Sequence, residues 1–314
     1  MILALNLNAA LDKIYFIERF SPTTNMRVST AGSYIGGKGL DAALVLQTLG
    51  APLLAISFIA GNIGKILARL LDENQIAHEL IWLTGETREA IVLIETDFHR
   101  HSHITTSGYT VTREDCDLFL RMMAAAADRA QWSLMAGSLP KGTPPNFYAE
   151  MIVLLHQHGV KTLIDHSGPG LLEAIKKSPD IVKMNQAEFQ ETFHVQLFNP
   201  EDWAPECRRQ MSLYKLKSLV ITCGKDGILA FTPEGDFKAG LNQEIVEVNA
   251  AGAGDAVSAA LVYNLSLGKG WPQALLWAIA TSAAVVLTEG TAVCHMPDIL
   301  SLYPNAWVKN LDAS

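Results

Sequence analysis

The chain has 314 residues, of which 49% are hydrophobic and 18% charged, enough to bury one large or two ordinary globular domains. Its 24 basic and 32 acidic residues give a formal charge of -8, which excludes a basic field for nucleic acid, so any phosphate must be bound locally. The longest weakly polar run, Ala274 to Thr288, falls short of the roughly 20 residues that span a bilayer, and no membrane partner is expected.

The opening Met1-Ile2-Leu3-Ala4-Leu5-Asn6 lacks the basic flank and small-residue cleavage pattern of a signal peptide and predicts a buried strand over Ile2 to Leu7. Further strands are predicted at Leu53 to Phe58, Ser133 to Ala136, Lys161 to Asp165, Ile181 to Met184 and Ser218 to Thr222. Helical patterns of about 10 to 15 residues separate most of them, which predicts an α/β fold with a mostly parallel sheet covered on both faces. Residues 12–34 and 86–108 break this alternation, being polar, rich in Thr and Ser, and extended at Lys13 to Phe20 and Ala90 to Asp97. They predict a small β-lid on a single core domain spanning residues 1–314. Cys116, Cys207, Cys223 and Cys294 show no paired metal or redox spacing, as suits reduced thiols in a cytoplasm.

Several motifs invite functions that their surroundings do not support. Gly37-Lys38-Gly39-Leu40-Asp41-Ala42 fits G-x-G-x-x-A, but the first strand, at residues 2–7, lies far upstream of it and no acid follows about 20 residues on, so dinucleotide binding is disfavoured. Gly61-Asn62-Ile63-Gly64-Lys65 resembles the end of a P-loop, yet Ile59 and Ile66 occupy the places of its glycine and its magnesium-binding hydroxyl. It reads as a turn opening a helix. His99, His101 and His103 would share one face of a strand, but without a further ligand they read as solvated lid surface. The alanine-rich run Ala274 to Leu287 predicts a buried helix packed closely through small residues.

Asn249 to Asp255 carries a sharper signal. With a strand ending near Val248 and a helix beginning near Ala253, the glycines would let the backbone turn tightly and aim several N–H groups at one spot. Together with the positive end of the helix dipole, these would form an anion hole for a phosphoryl group. Asp255, in the first turn, would accept a proton from an attacking hydroxyl. The alternative is an Asp that simply favours a helix N-terminus.

The stretches "GGKGLDAALVLQTLG" (36–50) and "NAAGAGDAVSAALVY" (249–263) resemble the two signature regions of the ribokinase-like, PfkB-type carbohydrate kinases. "LNAALD", "NMRV", "ETR", "GSLPKG", "IDHSG", "KMNQAE" and "TCGKDG" follow the family's chain order over nearly the whole length. Within the family, "GGKGL" with "ETR" and "GSLPKG" is most similar to the 1-phosphofructokinase and tagatose-6-phosphate kinase subgroup. The resemblance implies a three-layer α/β/α core with a β-lid, Asp255 as catalytic base, and an anion hole of Gly252, Ala253 and Gly254. It implies that Lys183 and Asn185 handle ATP phosphates, that Glu188 holds Mg2+ through water, and that Thr222, Gly224 and Gly227 form the nucleotide loop. Asp12, Gly37 and Asp41 fall where sugar is bound. Arg27, Lys38, Arg88 and Ser138 fall where phosphosugar kinases hold the substrate's phosphate, and three cations converging on one dianion make chemical sense.

The chain departs from the family's pattern with Asp41 in place of Asn, Ala9 and Met184 in place of Pro, Ala250 and Ala251 in place of Thr-type residues, and Gly108-Tyr109 in place of Gly-Pro. Asp41 implies either a preference for a substrate with an extra donor or a local ion pair with Lys38. The implied reaction transfers the γ-phosphoryl group of ATP to a primary hydroxyl of a ketohexose phosphate. Alternatives are a kinase of a free sugar or nucleoside, and a non-catalytic nucleotide or sugar sensor. The open edges of a lid outside the core predict a homodimer formed through it.

Overall fold

A computed structural model describes residues 1–98 and 100–311. Its first part runs through β1 (Ile2–Asn6), β2 (Ala10–Ile17), β3 (Thr30–Gly36), α1 (Lys38–Thr48), β4 (Leu53–Ala60), α2 (Gly61–Glu73), β5 (His78–Leu83), β6 (Arg88–Glu95) and β7 (Arg100–Thr105). There follow α3 (Arg113–Ala127), β8 (Trp132–Ala136), α4 (Phe147–Gln157), β9 (Lys161–Asp165), α5 (Gly168–Ile175), β10 (Ile181–Asn185) and α6 (Gln186–Phe193). The last part comprises α7 (Trp203–Tyr214), β11 (Leu219–Thr222), β12 (Ile228–Thr232), β13 (Gly235–Leu241), α8 (Ala253–Ser266), α9 (Trp271–Val285), α10 (Met296–Leu302) and β14 (Ala306–Asn310).

Ten strands form the main sheet in the order β14-β13-β12-β11-β10-β9-β8-β1-β4-β5. From β11 to β5 every pairing is parallel, whereas β12, β13 and β14 add an antiparallel edge. β4 is buried at all eight positions, the continuous apolar run expected of a parallel strand covered on both faces. The period of two along β1 divides the core, with Ile2 and Ala4 facing the α1, α8 and α9 layer and Leu3 and Leu5 the α3, α4 and α5 layer. The alanine-rich run is α9, which buries Ala274, Ala278 and Ala284.

The second sheet, ordered β3-β2-β6-β7, is the lid, with β2 and β6 parallel and the outer pairs antiparallel. Ile14, Val92 and Ile94 form its small core, with Phe16 and Tyr34 packed against them. Of the three alternating histidines, His99 lies outside the described residues, while His101 and His103 stand on β7. His101 Nε2 is 3.9 Å from Glu247 Oε1, and no cluster of three metal-ligating side chains occurs among the described residues. Gly61 to Lys65 opens α2, as a turn leading into a helix should. No helix among the described residues is long and apolar enough to cross a membrane.

One expectation is corrected. No strand precedes the anion-hole stretch, because β13 ends at Leu241 and the chain then runs irregularly to α8. Isolated backbone bonds, such as that from the Val248 N–H to the Val286 carbonyl at 2.8 Å, are supplemented there by side-chain bonding: buried Asn249 donates Nδ2 to the Glu289 carbonyl at 3.0 Å and accepts the Ala251 N–H at 3.0 Å.

Candidate active site

The N-terminus of α8 turns on Gly252, whose φ of 85° favours glycine and whose missing side chain leaves room for the backbone of Ala292. An added Cβ would lie 2.4 Å from Ala292 N. The Ala253 N–H is taken by the Ala250 carbonyl at 3.2 Å, so of the three predicted anion-hole donors it is the one already engaged. No backbone acceptor among the described residues takes the N–H of Gly252 or Gly254. Asp255 is the third residue of the helix and 8% exposed. Burial and the Asp165 carboxylate push its pKa up to about 7, against the opposing pull of Lys183 and Lys38.

Asp165, at the C-terminal end of β9, joins the charged groups. Its Oδ2 accepts from Lys183 Nζ at 2.7 Å and from Ser258 Oγ at 3.2 Å, and its Oδ1 accepts from Lys38 Nζ at 3.0 Å. Burial works against its ionisation, but the two lysines outweigh it and hold the pKa at about 2. Lys38 also donates to Glu188 Oε1 at 2.8 Å. Burial disfavours the Lys38 charge, yet Asp165, Asp255 and Glu188 together raise its pKa. Glu188 is fixed by a capping box: its Oε2 accepts the Asn185 N–H at 2.8 Å, while the Asn185 side chain accepts the Glu188 N–H at 2.9 Å.

On one side lies a cavity of about 210 Å³ lined by Asn8, Lys38, Arg88, Gly137, Ser138, His166, Ser167 and Glu188. Ser138 is oriented by Asn8 Nδ2 at 3.0 Å. Arg88 donates Nη2 to the Asn8 carbonyl at 3.3 Å, while its Nε is enclosed without a partner. Gly37 caps α1 at a φ of 100°. Asp12 is buried on β2, accepts from Thr291 Oγ1 at 2.8 Å, and is pushed by burial to a pKa of about 6 despite Thr291 and Arg88. Asp41 is 4% exposed and makes no ion pair with Lys38, whose ammonium is taken by Asp165 and Glu188.

Arg27 departs from the expected convergence of three cations. It stands exposed on the connection between β2 and β3 and does not line the cavity, because that polar connection runs out beyond the lid strands. Lys38 and Arg88 alone of the three meet there.

On the other side, a cavity of about 470 Å³ is lined by Gly224, Gly227, Ala250 and Ala253, with an apolar wall of Ile245, Ile279, Ala283 and Val286. Thr222 ends β11 beside it in sequence, and its hydroxyl donates weakly to the Met184 carbonyl at 3.5 Å. Lys183 approaches the first turn of α8, where a Cβ on Gly254 would lie 3.0 Å from its Nζ. The residues are thus arranged as two cavities with Asp255, Lys183 and Asp165 between their linings.

Asp165 and His166, within "IDHSG", are site residues that sequence reasoning misses. The signal was there, since a carboxylate ending a predicted parallel strand stands where α/β proteins gather ligands. His166 packs on the Tyr148 ring with centroids 5.0 Å apart, and burial, helped by Lys38, lowers its pKa to about 4. As for a magnesium ion, the donor set suits one held through water and phosphate oxygens rather than in a cage of carboxylates. Each Glu188 oxygen accepts one hydrogen bond and keeps acceptor capacity for water.

Comparison with known proteins agrees with this geometry. The chain is 26% identical over 267 residues to a tagatose-6-phosphate kinase of Staphylococcus epidermidis, covering 84% of this chain and 85% of that one. It is 25% identical over 298 residues to an ATP-dependent 6-phosphofructokinase isozyme 2 of Mycobacterium tuberculosis, covering 95% and 87%. In fold it is similar to phosphofructokinase-2 from Escherichia coli, with a TM-score of 0.88, 21% identity, and coverage of 96% and 98%. The model of the pfkB family of carbohydrate kinases matches residues 6–299, from the asparagine that ends β1 to the middle of α10, so both cavities and the α8 turn between them fall inside it. The chain therefore belongs to the pfkB family and is an ATP-dependent carbohydrate kinase of ribokinase-like fold.

Proposed function

We propose that the enzyme transfers the γ-phosphoryl group of ATP to a primary hydroxyl of a ketohexose phosphate of the fructose 1-phosphate, fructose 6-phosphate or tagatose 6-phosphate type. One observation carries this reading: Lys38 and Arg88 both line the smaller cavity, where a substrate already bearing a phosphate needs compensating charge. A free sugar or nucleoside would leave Arg88 without an anion to meet. The names of the relatives, one a tagatose-6-phosphate kinase and one a 6-phosphofructokinase, support the same class.

In this reading ATP lies in the larger cavity over Gly224 and Gly227, with its phosphates directed at the α8 N-terminus and Lys183. Asp255 takes the proton of the acceptor hydroxyl, and a carboxylate raised to about 7 is well matched to that task near neutrality. The N–H groups of Gly252 and Gly254 stabilise the phosphoryl group as its charge develops. Asp12 and Asp41 receive the sugar, with Ser138 beside its phosphate. Magnesium, when bound, neutralises phosphate charge, and Glu188 would hold it through water. The lid excludes water from the transfer and, in a homodimer, covers its exposed face. Four free cysteines suit work in a reducing cytoplasm.

The test is ADP release with the three ketohexose phosphates beside the corresponding free sugars. The reading requires turnover of at least one phosphate well above any free sugar. It also requires Arg88→Ala to raise the KM for that phosphate by about ten- to hundredfold while leaving ATP affected far less. Equal activity on free sugars would transfer the assignment to an unphosphorylated substrate, and no ADP release from any sugar would favour a sensor.

A further inference from the structure

Asp41 lies in the first turn of α1 and is almost wholly enclosed, with its Oδ1 sealed from solvent and offered no hydrogen-bond donor. Neither of the nearby cations donates a hydrogen bond to it. Lys38 gives its ammonium to Asp165 and Glu188, and Arg88 gives Nη2 to the Asn8 carbonyl. The groups that act on Asp41 are Asp255 on α8 and Asp12 on β2, with Arg88 on β6 and Lys38 on its own helix opposing them.

An ionised carboxylate in such a place would leave a charged oxygen with neither water nor donor, beside two further carboxylates, a costly arrangement. A neutral acid avoids that cost. It also has the hydrogen-bonding repertoire of a side-chain amide, with one O–H to give and a carbonyl oxygen to receive. We propose that Asp41 is a specificity-determining residue that meets the sugar as an un-ionised carboxylic acid, donating to a ring or carbonyl oxygen and accepting from a hydroxyl, and so stands in for an asparagine. This role rests on the sugar-phosphate kinase reading; the protonation itself does not. Burial, with Asp255 and Asp12, pushes the pKa of Asp41 well above the usual carboxylate range, in agreement with the geometry. The substrate class of an asparagine-bearing enzyme is then retained, because the donor is retained.

Two measurements on the intact protein test this. The first needs no substrate: the infrared difference spectrum between wild type and Asp41→Asn near neutral pH, with Asp255→Asn as a control for the second buried acid. An un-ionised carboxylic acid band lost on Asp41→Asn is expected, and loss of carboxylate bands instead overturns the proposal. The second compares kcat/KM for fructose 1-phosphate, fructose 6-phosphate and tagatose 6-phosphate near neutral pH. Asp41→Asn should stay within about threefold of wild type and keep the ratios among the sugars, whereas Asp41→Leu, of similar size and without polar atoms, should lose about tenfold or more. Ratios that shift about tenfold in Asp41→Asn overturn the amide-like role even if the acid is neutral. If neither protein releases ADP with any sugar, the kinase substrate has been misread, and the infrared spectrum still decides the state of Asp41.

Discussion

At the scale of single residues, Asp255 has consequences for both rate and stability. On the proposed mechanism Asp255→Asn removes the proton acceptor but keeps the shape, so kcat should fall by roughly two to four orders of magnitude while ATP still binds. Turnover within a few fold of wild type would remove Asp255 from that role. Because a proton acceptor must be ionised, that mechanism requires kcat/KM of wild type to rise with pH through about 7 and level off above it. The stability effect has the opposite sense. A folded pKa raised above the unfolded value means that the native state binds the proton more tightly, so stability is lost as pH rises from the unfolded pKa to the folded one. Asp255→Asn, carrying no charge, should therefore melt at least about 2 °C higher than wild type near pH 8, as calorimetry would show. Sequence exposed Asp255 because its neighbours are conspicuously small, but it left Asp165 without a role because that residue acts through tertiary contacts with two lysines from other elements. Two departures from the family pattern turn out to answer each other. The Ala9 N–H, which proline would lack, donates to the Tyr109 hydroxyl at 3.0 Å, and that hydroxyl lies 3.0 Å from the carbonyls of both Leu7 and Phe58.

At the scale of elements, the turn into α8 is the least forgiving segment. Gly252→Ala would need a left-handed backbone for a residue with a side chain and would press its Cβ onto Ala292. A cost of about 1–3 kcal/mol is expected, together with a loss of kcat of more than about tenfold as the anion-binding donors shift. A Tm and kcat like those of wild type would show that the turn relaxes freely. The α6 start is a milder case, since Asn185→Ala removes a cap worth about 0.5–2 kcal/mol and releases the Glu188 carboxylate from its box. Strands of the sheet interior were legible as runs of β-branched and aliphatic residues, as at β4 and β9. The outer strands β5, β12, β13 and β14 were not, since part-buried positions interrupt the continuous apolar run that marks the interior strands. The predicted strand before Asn249 failed for a related reason, because polar side chains can satisfy an irregular backbone without leaving a period in the sequence.

At the scale of the whole molecule, the lid is an open four-stranded sheet with exposed Ile104 on its outer strand and exposed Phe20, Met26 and Val28 on its connections. A dimer in light scattering at micromolar concentration is expected, with Ile104→Lys shifting it toward monomer; a monomeric wild type would refute the lid pairing. Residues 289–292 tie this sheet to the turn into α8. Thr291 holds Asp12 of β2, the Ala292 N–H donates to the Ala251 carbonyl, and the Glu289 carbonyl accepts from Asn249. One short segment therefore bears on the strand proposed to meet the sugar and on the loop proposed to meet the phosphoryl group at once. In thermodynamic terms it is a linkage: whatever a sugar does to the affinity for the nucleotide, the nucleotide must do to the affinity for the sugar by the same factor. Thr291→Val cuts the tie at its sugar end. Calorimetric titration of a non-hydrolysable ATP analogue, with and without the sugar phosphate, should show that factor moving toward one in the variant; an unchanged factor would mean that the two ligands communicate by another route, such as direct repulsion between their phosphates.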